Sequence, residues 1–370
     1  MSSFRVDVSA AIAATLIALP ALAADLLVPQ QYATIQDAVN AASDGDRVLV
    51  SPGTYHEQVN LSGKGIQLIG VEGAAATAID GDNAHTVIVG NGEPDTCLVQ
   101  GFTIQRGYTD GGGGGVSLRQ SSAHFFQCAF IRNKAGINTL WGAAAWRSEN
   151  GSPSVSECLF VKNVSEVSTS GIYHYLGGSI SITDCLFSDN DALYANAIHI
   201  QNEGGAIQFL IERCTIRRNG NITNPDATAH MPILFWSPGG QISGSIANCV
   251  FESPKPVAAS IDPPQTSVML FGFSGYSVIQ SNNLACGYPQ WVISDFGNAT
   301  PIDGGGNTLS PNCCPADLDE DHDVGGSDIS LLLLEFGDCL GCKSDLDGSG
   351  DVTAGDLSTL LLDFGSCAAN

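Results

Sequence analysis

The sequence predicts an all-β chain wound as a parallel β-helix solenoid, followed by a small α-helical module built on two acidic loops. Three observations carry this. First, a phrase recurs as Cys128-x-Phe130-x-x-Asn133, Cys158-x-Phe160-x-x-Asn163, Cys185-x-Phe187-x-x-Asn190 and Cys214-x-Ile216-x-x-Asn219, and as Cys249-x-Phe251 without the Asn. Its cysteines lie 30, 27, 29 and 35 residues apart, the period of a solenoid in which each repeat covers its neighbour's apolar face. Second, only 14% of the residues are charged and 43 are glycine, which favours short strands and many turns over helices. Third, two Asp-rich segments 28 residues apart each lead into a helical apolar pattern near the C-terminus.

In chain order, residues 10–22 are a short apolar run between Arg5 and Ala21-Leu22-Ala23. This reads as a secretory signal peptide over 1–23, too short to span a bilayer. An exported chain is compatible with disulfides among its twelve cysteines. Thr34 to Asp37 opens like a capping box with Asp in place of Glu, and Ile35, Ala38, Val39 and Ala42 make an amphipathic helix expected to cap the solenoid. Strands are expected at 47–51, 56–61, 66–69, 86–89 and 98–104, separated by Pro-Gly, Ser-Gly, Asp-Gly and Asn-Gly turns.

From Gly111 each coil has a Gly/Ala-rich approach, a strand, a turn and then the Cys-x-Phe phrase. The approach strands are 116–118, 144–146, 172–175, 198–200, 233–236 and 268–271. Cys and Phe are two apart and share one side of a strand. The Asn is expected at the corner, in the left-handed region that it tolerates. The cysteine row could serve metal or redox chemistry, but thiols stacked about 4.8 Å apart also pack well as small hydrophobes, which is the favoured reading. A tie between Cys286 and Cys313 is a further possibility.

The stretch from Ala33-Thr-Ile-Gln to Gly45-Asp-Arg-Val, with Ser51-Pro-Gly-Thr-Tyr55, resembles the opening of right-handed parallel β-helix proteins. These include pectin methylesterases and the pectate-lyase-like superfamily, and the Cys-x-Phe-x-x-Asn coils resemble bacterial surface members. The resemblance covers about residues 26–312 and implies a right-handed solenoid over 24–312. It does not imply one activity, because function resides in sites grafted on the fold. The paired Asp and the Arg of pectin methylesterase motifs are absent, and Asp295-Phe-Gly is no substitute. No acidic cluster of the lyase type is evident.

Residues 313–370 form the second domain, with thirteen Asp/Glu against Lys343 alone. Asp317, Asp319, Asp321, Asp323 and Asp328 superpose on Asp345, Asp347, Ser349, Asp351 and Asp356. Oxygens at positions 1, 3, 5 and 12, with a carbonyl at 7, form the ligand set of a twelve-residue calcium loop. Two Ca2+ sites are expected, the second better formed because Gly350 stands at the sharp turn where the first has His322. Ile329, Leu332, Leu333 and Phe336, and then Leu357, Leu360, Leu361 and Phe364, are helical stripes expected to pack on each other. Cys314–Cys339 and Cys342–Cys367 are the preferred bridges, with Cys339–Cys342 the competitor. The module resembles a dockerin, which implies a cohesin-like partner. Its loop positions 10 and 11, Gly326-Ser327 and Ala354-Gly355, lack the usual recognition residues.

A net charge of −24 argues against nucleic acid or an anionic membrane as partner. The catalytic candidates are outward side chains of the approach strands: His199, Arg147, Tyr173 and His174, with Glu149, Tyr175, His230 and Trp236 nearby. The competing reading is an ordinary decorated surface. The leading function is a secreted or surface protein that binds extracellular polysaccharide and is docked through its calcium module. The alternatives are a polysaccharide-degrading enzyme with a divergent site and a purely structural adhesion protein.

Overall fold

A computed structural model describes residues 23–370, except for 137–141, 167–168, 193–194, 218, 221–230, 253–265, 273–275, 287–289, 296–301, 311–315, 320–322, 339–342, 347–350 and 367–370. The expected signal peptide lies outside the described residues apart from Ala23, and His230, Asp321, Asp347 and Ser349 lie outside them too. So do Cys313, Cys314, Cys339, Cys342 and Cys367, and with them the expected bridges.

Each coil places one short strand in each of three stacked sheets. Sheet I runs from Asp25–Val28 to Ile302–Asp303, sheet II from Gly53–Tyr55 to Thr308–Ser310, and sheet III from Val59–Asn60 to Gln290–Asp295. One coil reads His124–Phe126, Ala129–Ile131 and Trp146–Glu149, and each of these strands pairs in parallel with the coil before and the coil after. A minor fourth sheet starts at Tyr108–Thr109 and ends at Asp191–Ala192. The fold is therefore a parallel β-helix.

Its core repeats by row. Phe130, Phe160, Phe187, Ile216 and Phe251 stand in register. The first three rings are stacked 4.5 and 4.6 Å apart, and Trp146 meets Phe125 edge-on at 4.6 Å. Cys128, Cys158, Cys185, Cys214 and Cys249 form a buried row of free thiols, as the packing reading expects. Asn283 and Asn307 continue that row, the Asn283 oxygen accepting from the Cys249 amide at 2.9 Å. The expected strand 144–146 is displaced: the strand is Trp146–Glu149, and Trp146 is interior.

The Asn corner differs from expectation. The positive-φ residues are the ones before each Asn, Arg132, Lys162 and Asp189. This turns the Asn side chains inward, where Asn133, Asn163 and Asn190 donate to the next Asn oxygen at 2.9–3.0 Å. Each also donates to a backbone carbonyl, of Ile104, Phe130 and Phe160 respectively. The ladder satisfies buried corner backbone that no sheet pairs.

At the N-terminal end, helix Ile35–Ala41 buries Ile35, Ala38 and Val39. The Glu57 carboxylate accepts the Ile35 and Gln36 amides at 2.9 Å, and Lys64 donates to the Val39, Asn40 and Ala42 carbonyls. Opposite charges thus sit at opposite ends of the helix dipole.

The C-terminal part carries helices Gly326–Leu334 and Ala354–Leu362. Asp323–Val324 pairs antiparallel with Gly365–Ser366, and Gly337–Asp338 with Asp351–Val352. Each half thus completes the other. Leu332 and Leu360 are buried, but Leu333, Phe336, Leu361 and Phe364 are more than half exposed, so the two stripes do not pack along their length. The reason is that loop residues Leu318, Val324, Leu346 and Val352 fill the space around Leu332 and Leu360. This part also touches the solenoid: Arg217, buried on sheet II, is ion-paired with Asp363. Among the described residues, no helix is long and apolar enough to cross a membrane.

Candidate functional site

Alternation along sheet III sorts the candidate residues into two sides. Ser117, Arg147, Tyr173, His199 and Leu234 occupy one outward row across adjacent strands. Arg119, Glu149, Tyr175, Gln201 and Trp236 occupy the next outward row. Three of the four catalytic candidates, Arg147, Tyr173 and His199, are therefore neighbours. His174 is not with them. It shares the inward row of Leu118, Ser148 and Ile200.

There His174 belongs to a closed polar chain. Trp146 Nε1 donates to Ser148 Oγ at 3.1 Å, Ser148 Oγ meets His174 Nδ1 at 2.9 Å, and His174 Nε2 lies 3.0 Å from the Gly177 carbonyl. Of the two neutral tautomers, only the one protonated on Nε2 satisfies both ends, with Ser148 donating to Nδ1. Burial lowers its pKa to about 4, against the opposing pull of the Gly177 carbonyl. His174 thus has a core role and no access to a ligand.

The outward rows form a layered face. Its floor is Tyr173, His199 and Gln201, all buried. Tyr173 lies 4.9 Å from the His199 ring and 5.8 Å from the Tyr175 ring. Tyr173 Oη donates to Gln201 Oε1 at 2.9 Å, and Gln201 Nε2 to Glu203 Oε1 at 3.0 Å. Tyr175 Oη donates to the other Glu203 oxygen at 3.1 Å. On the other side, Glu149 accepts from Arg119 at 3.0 Å and from Arg147 at 3.2 Å, and Arg147 stands 6.0 Å from the centre of the Tyr175 ring. The solvent side therefore offers an aromatic ring, two carboxylates and two guanidiniums, oriented from beneath.

Burial lowers the His199 pKa to about 3 and raises that of Tyr173. At neutral pH both are uncharged. His199 Nδ1 is 3.3 Å from Thr169 Oγ1, whereas its buried Nε2 has no hydrogen-bond partner among the described residues, nor has Arg147 Nε. Orphaned polar atoms of this kind cost about 1–3 kcal/mol each; others among the described residues, such as Thr77 Oγ1 and Gln280 Nε2, lie away from this face. Gln201 and Glu203 were missed by sequence reasoning, although Gln201 follows His199 at the two-residue spacing of one strand side; Glu203 lies just past the strand's end.

The acidic loops hold a second cluster. Asp317, Asp319 and Asp328 bring carboxylate oxygens within 4.8 Å of one another. Asp328 accepts from the Leu318 and Gly325 amides at 2.7 Å each, and Asp356 from the Leu346 and Thr353 amides at 2.8 and 2.7 Å. Burial would raise the Asp328 pKa, but its backbone donors prevail and lower it. An all-oxygen carboxylate set suits a hard cation. The Asp323 side chain lies outside the described set, Asp345 is half-buried beside Leu346, and Asp351 is exposed.

A further cluster carries no local signature. His56, Asp80 and Asp82 come from consecutive coils, with Arg106 on the next. His56 Nδ1 meets Asp82 at 2.9 Å, while Arg106 and Gln105 close on Asp80. Burial would raise the Asp80 pKa, but the Arg106 guanidinium and its other donors outweigh this and lower it. The network ties three successive coils together.

Fold and site together define a parallel β-helix protein with a polar–aromatic outward face and an acidic C-terminal pair of loops. No family model and no curated protein matches the chain. Among the solved structures that match is a pectin methylesterase from carrot, at 13% identity over 77% of this chain and 87% of that one, with a TM-score of 0.38. A pectin methylesterase from Aspergillus niger matches at 14% identity over 78% and 90%, with a TM-score of 0.35. Likeness of that size carries no argument about activity.

Proposed function

We propose that the chain is an exported, extracellular or surface-displayed β-helix protein that binds polysaccharide along the outward side of sheet III. The observation that supports this most is the Arg147–Glu149–Tyr175–Glu203 array held over the Tyr173–His199–Gln201 floor. An aromatic face can cover the C–H side of a sugar ring while fixed polar groups read its hydroxyls, the usual mix of a carbohydrate-sized site. The acidic loops are proposed to bind two Ca2+, held by Asp317, Asp319, Asp321, Asp323 and Asp328 and by Asp345, Asp347, Ser349, Asp351 and Asp356. Calcium would neutralise the converging carboxylates and order the loops, making a dockerin-like module whose candidate partner is a cohesin-like protein.

Affinity electrophoresis of the mature chain through gels cast with a panel of polysaccharides tests the binding reading. Retardation by at least one polymer, lost in Tyr175→Ala, is expected. Equal mobility in every gel would remove it and leave a structural adhesion role. The half-buried Glu149 and the exposed Glu203 give an enzymatic alternative its specific footing, since glycoside cleavage needs paired carboxyls. New reducing ends or unsaturated products on incubation with the same polymers would favour that alternative.

A further inference from the structure

We infer that the face on sheet III takes a neutral, hydroxyl-rich polysaccharide and discriminates against polyuronates. The inference rests on the binding reading above and adds the class of polymer. A polyuronate carries a carboxylate on each sugar, so a face that binds it must offer cations with charge to spare. This face offers Arg119 and Arg147, and both close on the same carboxylate, Glu149, one on each of its oxygens. The next carboxylate along, Glu203, accepts from Gln201 and Tyr175, which bring no charge. Two guanidiniums thus stand against two carboxylates on the accessible side.

The wider field points the same way. The chain carries −24 overall, which repels an anionic polymer at long range. Engaging Arg147 with a uronate would also mean breaking its pair with Glu149, leaving that carboxylate, 14% exposed, with Arg119 as its one remaining guanidinium.

Hydroxyl groups meet no such obstacle. Each is both donor and acceptor. They can accept from guanidinium N–H and donate to Glu203 and Glu149 without breaking an ion pair. The floor supports this role with neutral groups, because His199 and Tyr173, both buried, are uncharged at neutral pH. Tyr175 supplies the flat surface, half-buried and packed against Tyr173.

The test is affinity electrophoresis of the full mature chain in gels containing hydroxyethyl cellulose or arabinoxylan as neutral probes, and polygalacturonate as the acidic one. The wild type should be retarded by a neutral polymer, with little change on adding salt, and not by polygalacturonate. Glu149→Gln frees both guanidiniums without changing side-chain size. It should gain retardation by polygalacturonate, on the order of tenfold in apparent affinity and abolished by salt. Stronger retardation of the wild type by polygalacturonate than by the neutral polymers would overturn the inference and leave the binding reading standing. No gain in Glu149→Gln, with its thermal transition unchanged, would also overturn it. Absence of retardation in every gel would overturn both.

Discussion

The solenoid and the acidic loops solve the same problem, a buried polar side chain holding backbone amides, by different means. Asn163 accepts from the Asn133 amide and donates to the Phe130 carbonyl and the Asn190 oxygen, all without charge. Asp328 accepts from the Leu318 and Gly325 amides, yet it remains an anion beside Asp317 and Asp319. Repetition lets a neutral amide be satisfied by its own copy one coil away. A two-loop unit has no such stack and gathers like charges that call for a cation. The difference extends to packing. The solenoid's Phe130, Phe160 and Phe187 are fully buried, whereas Leu333, Phe336, Leu361 and Phe364 stand largely in solvent.

The contrast can be attacked at its strongest point first. Phe160→Ala, in the middle of the ring stack, should destabilise the chain by about 3–5 kcal/mol, read as a lowered chemical-denaturation midpoint. A loss under about 1 kcal/mol would mean that the stack is not what holds the coils. Removing calcium with EDTA should then lower only the C-terminal transition, by about 2.7 kcal/mol per site relative to a calcium level a hundredfold above the dissociation constant. Far-UV circular dichroism should show helix loss with the β signal intact. An unchanged helical signal would mean that the loops fold without the ion.

Third in size is the response to acid. His174 and His199 have folded pKa values lowered to about 4 and about 3 by burial, against about 6.5 unfolded. Between those values the unfolded chain binds more protons, so their contribution is intact above about pH 6.5 and stability falls as the pH drops toward 4. The loss should be about 2 kcal/mol per histidine at pH 5, visible as a steeper acid dependence than in His174→Gln/His199→Gln. Equal slopes would mean that these imidazoles are not held neutral. The smallest effect belongs to the module surface. Leu334→Lys, at 82% exposed, should shift stability by no more than about 0.5 kcal/mol, and a larger loss would reveal packing at that face.

Much of the fold was legible because the solenoid writes its packing once per coil. Cys-x-Phe-x-x-Asn marks two interior rows and a corner, and both rows stand where the spacing puts them. What the corner does was not legible. The left-handed turn falls on Arg132, Lys162 and Asp189, residues with no turn preference as strong as that of Asn. The site was half legible. Arg147, Tyr173 and His199 follow from alternation, but Ile172-Tyr173-His174-Tyr175 has four large side chains in a row. Composition alone cannot say which two face out, and only register with Ser148 and Ile200 places His174 inside. The His56–Asp80–Asp82–Arg106 network draws on separate coils, so no local pattern announces it.

The central claim is a division of labour, with polysaccharide on sheet III and calcium in the C-terminal loops. One crossed measurement tests it most directly: retardation by polysaccharide and calorimetric calcium stoichiometry on Tyr175→Ala and on Asp317→Ala/Asp345→Ala, each in the full mature chain. The account predicts that Tyr175→Ala loses retardation but keeps two calcium ions, and that Asp317→Ala/Asp345→Ala loses both ions but keeps retardation. Loss of both properties in either variant, or of neither in both, would contradict it.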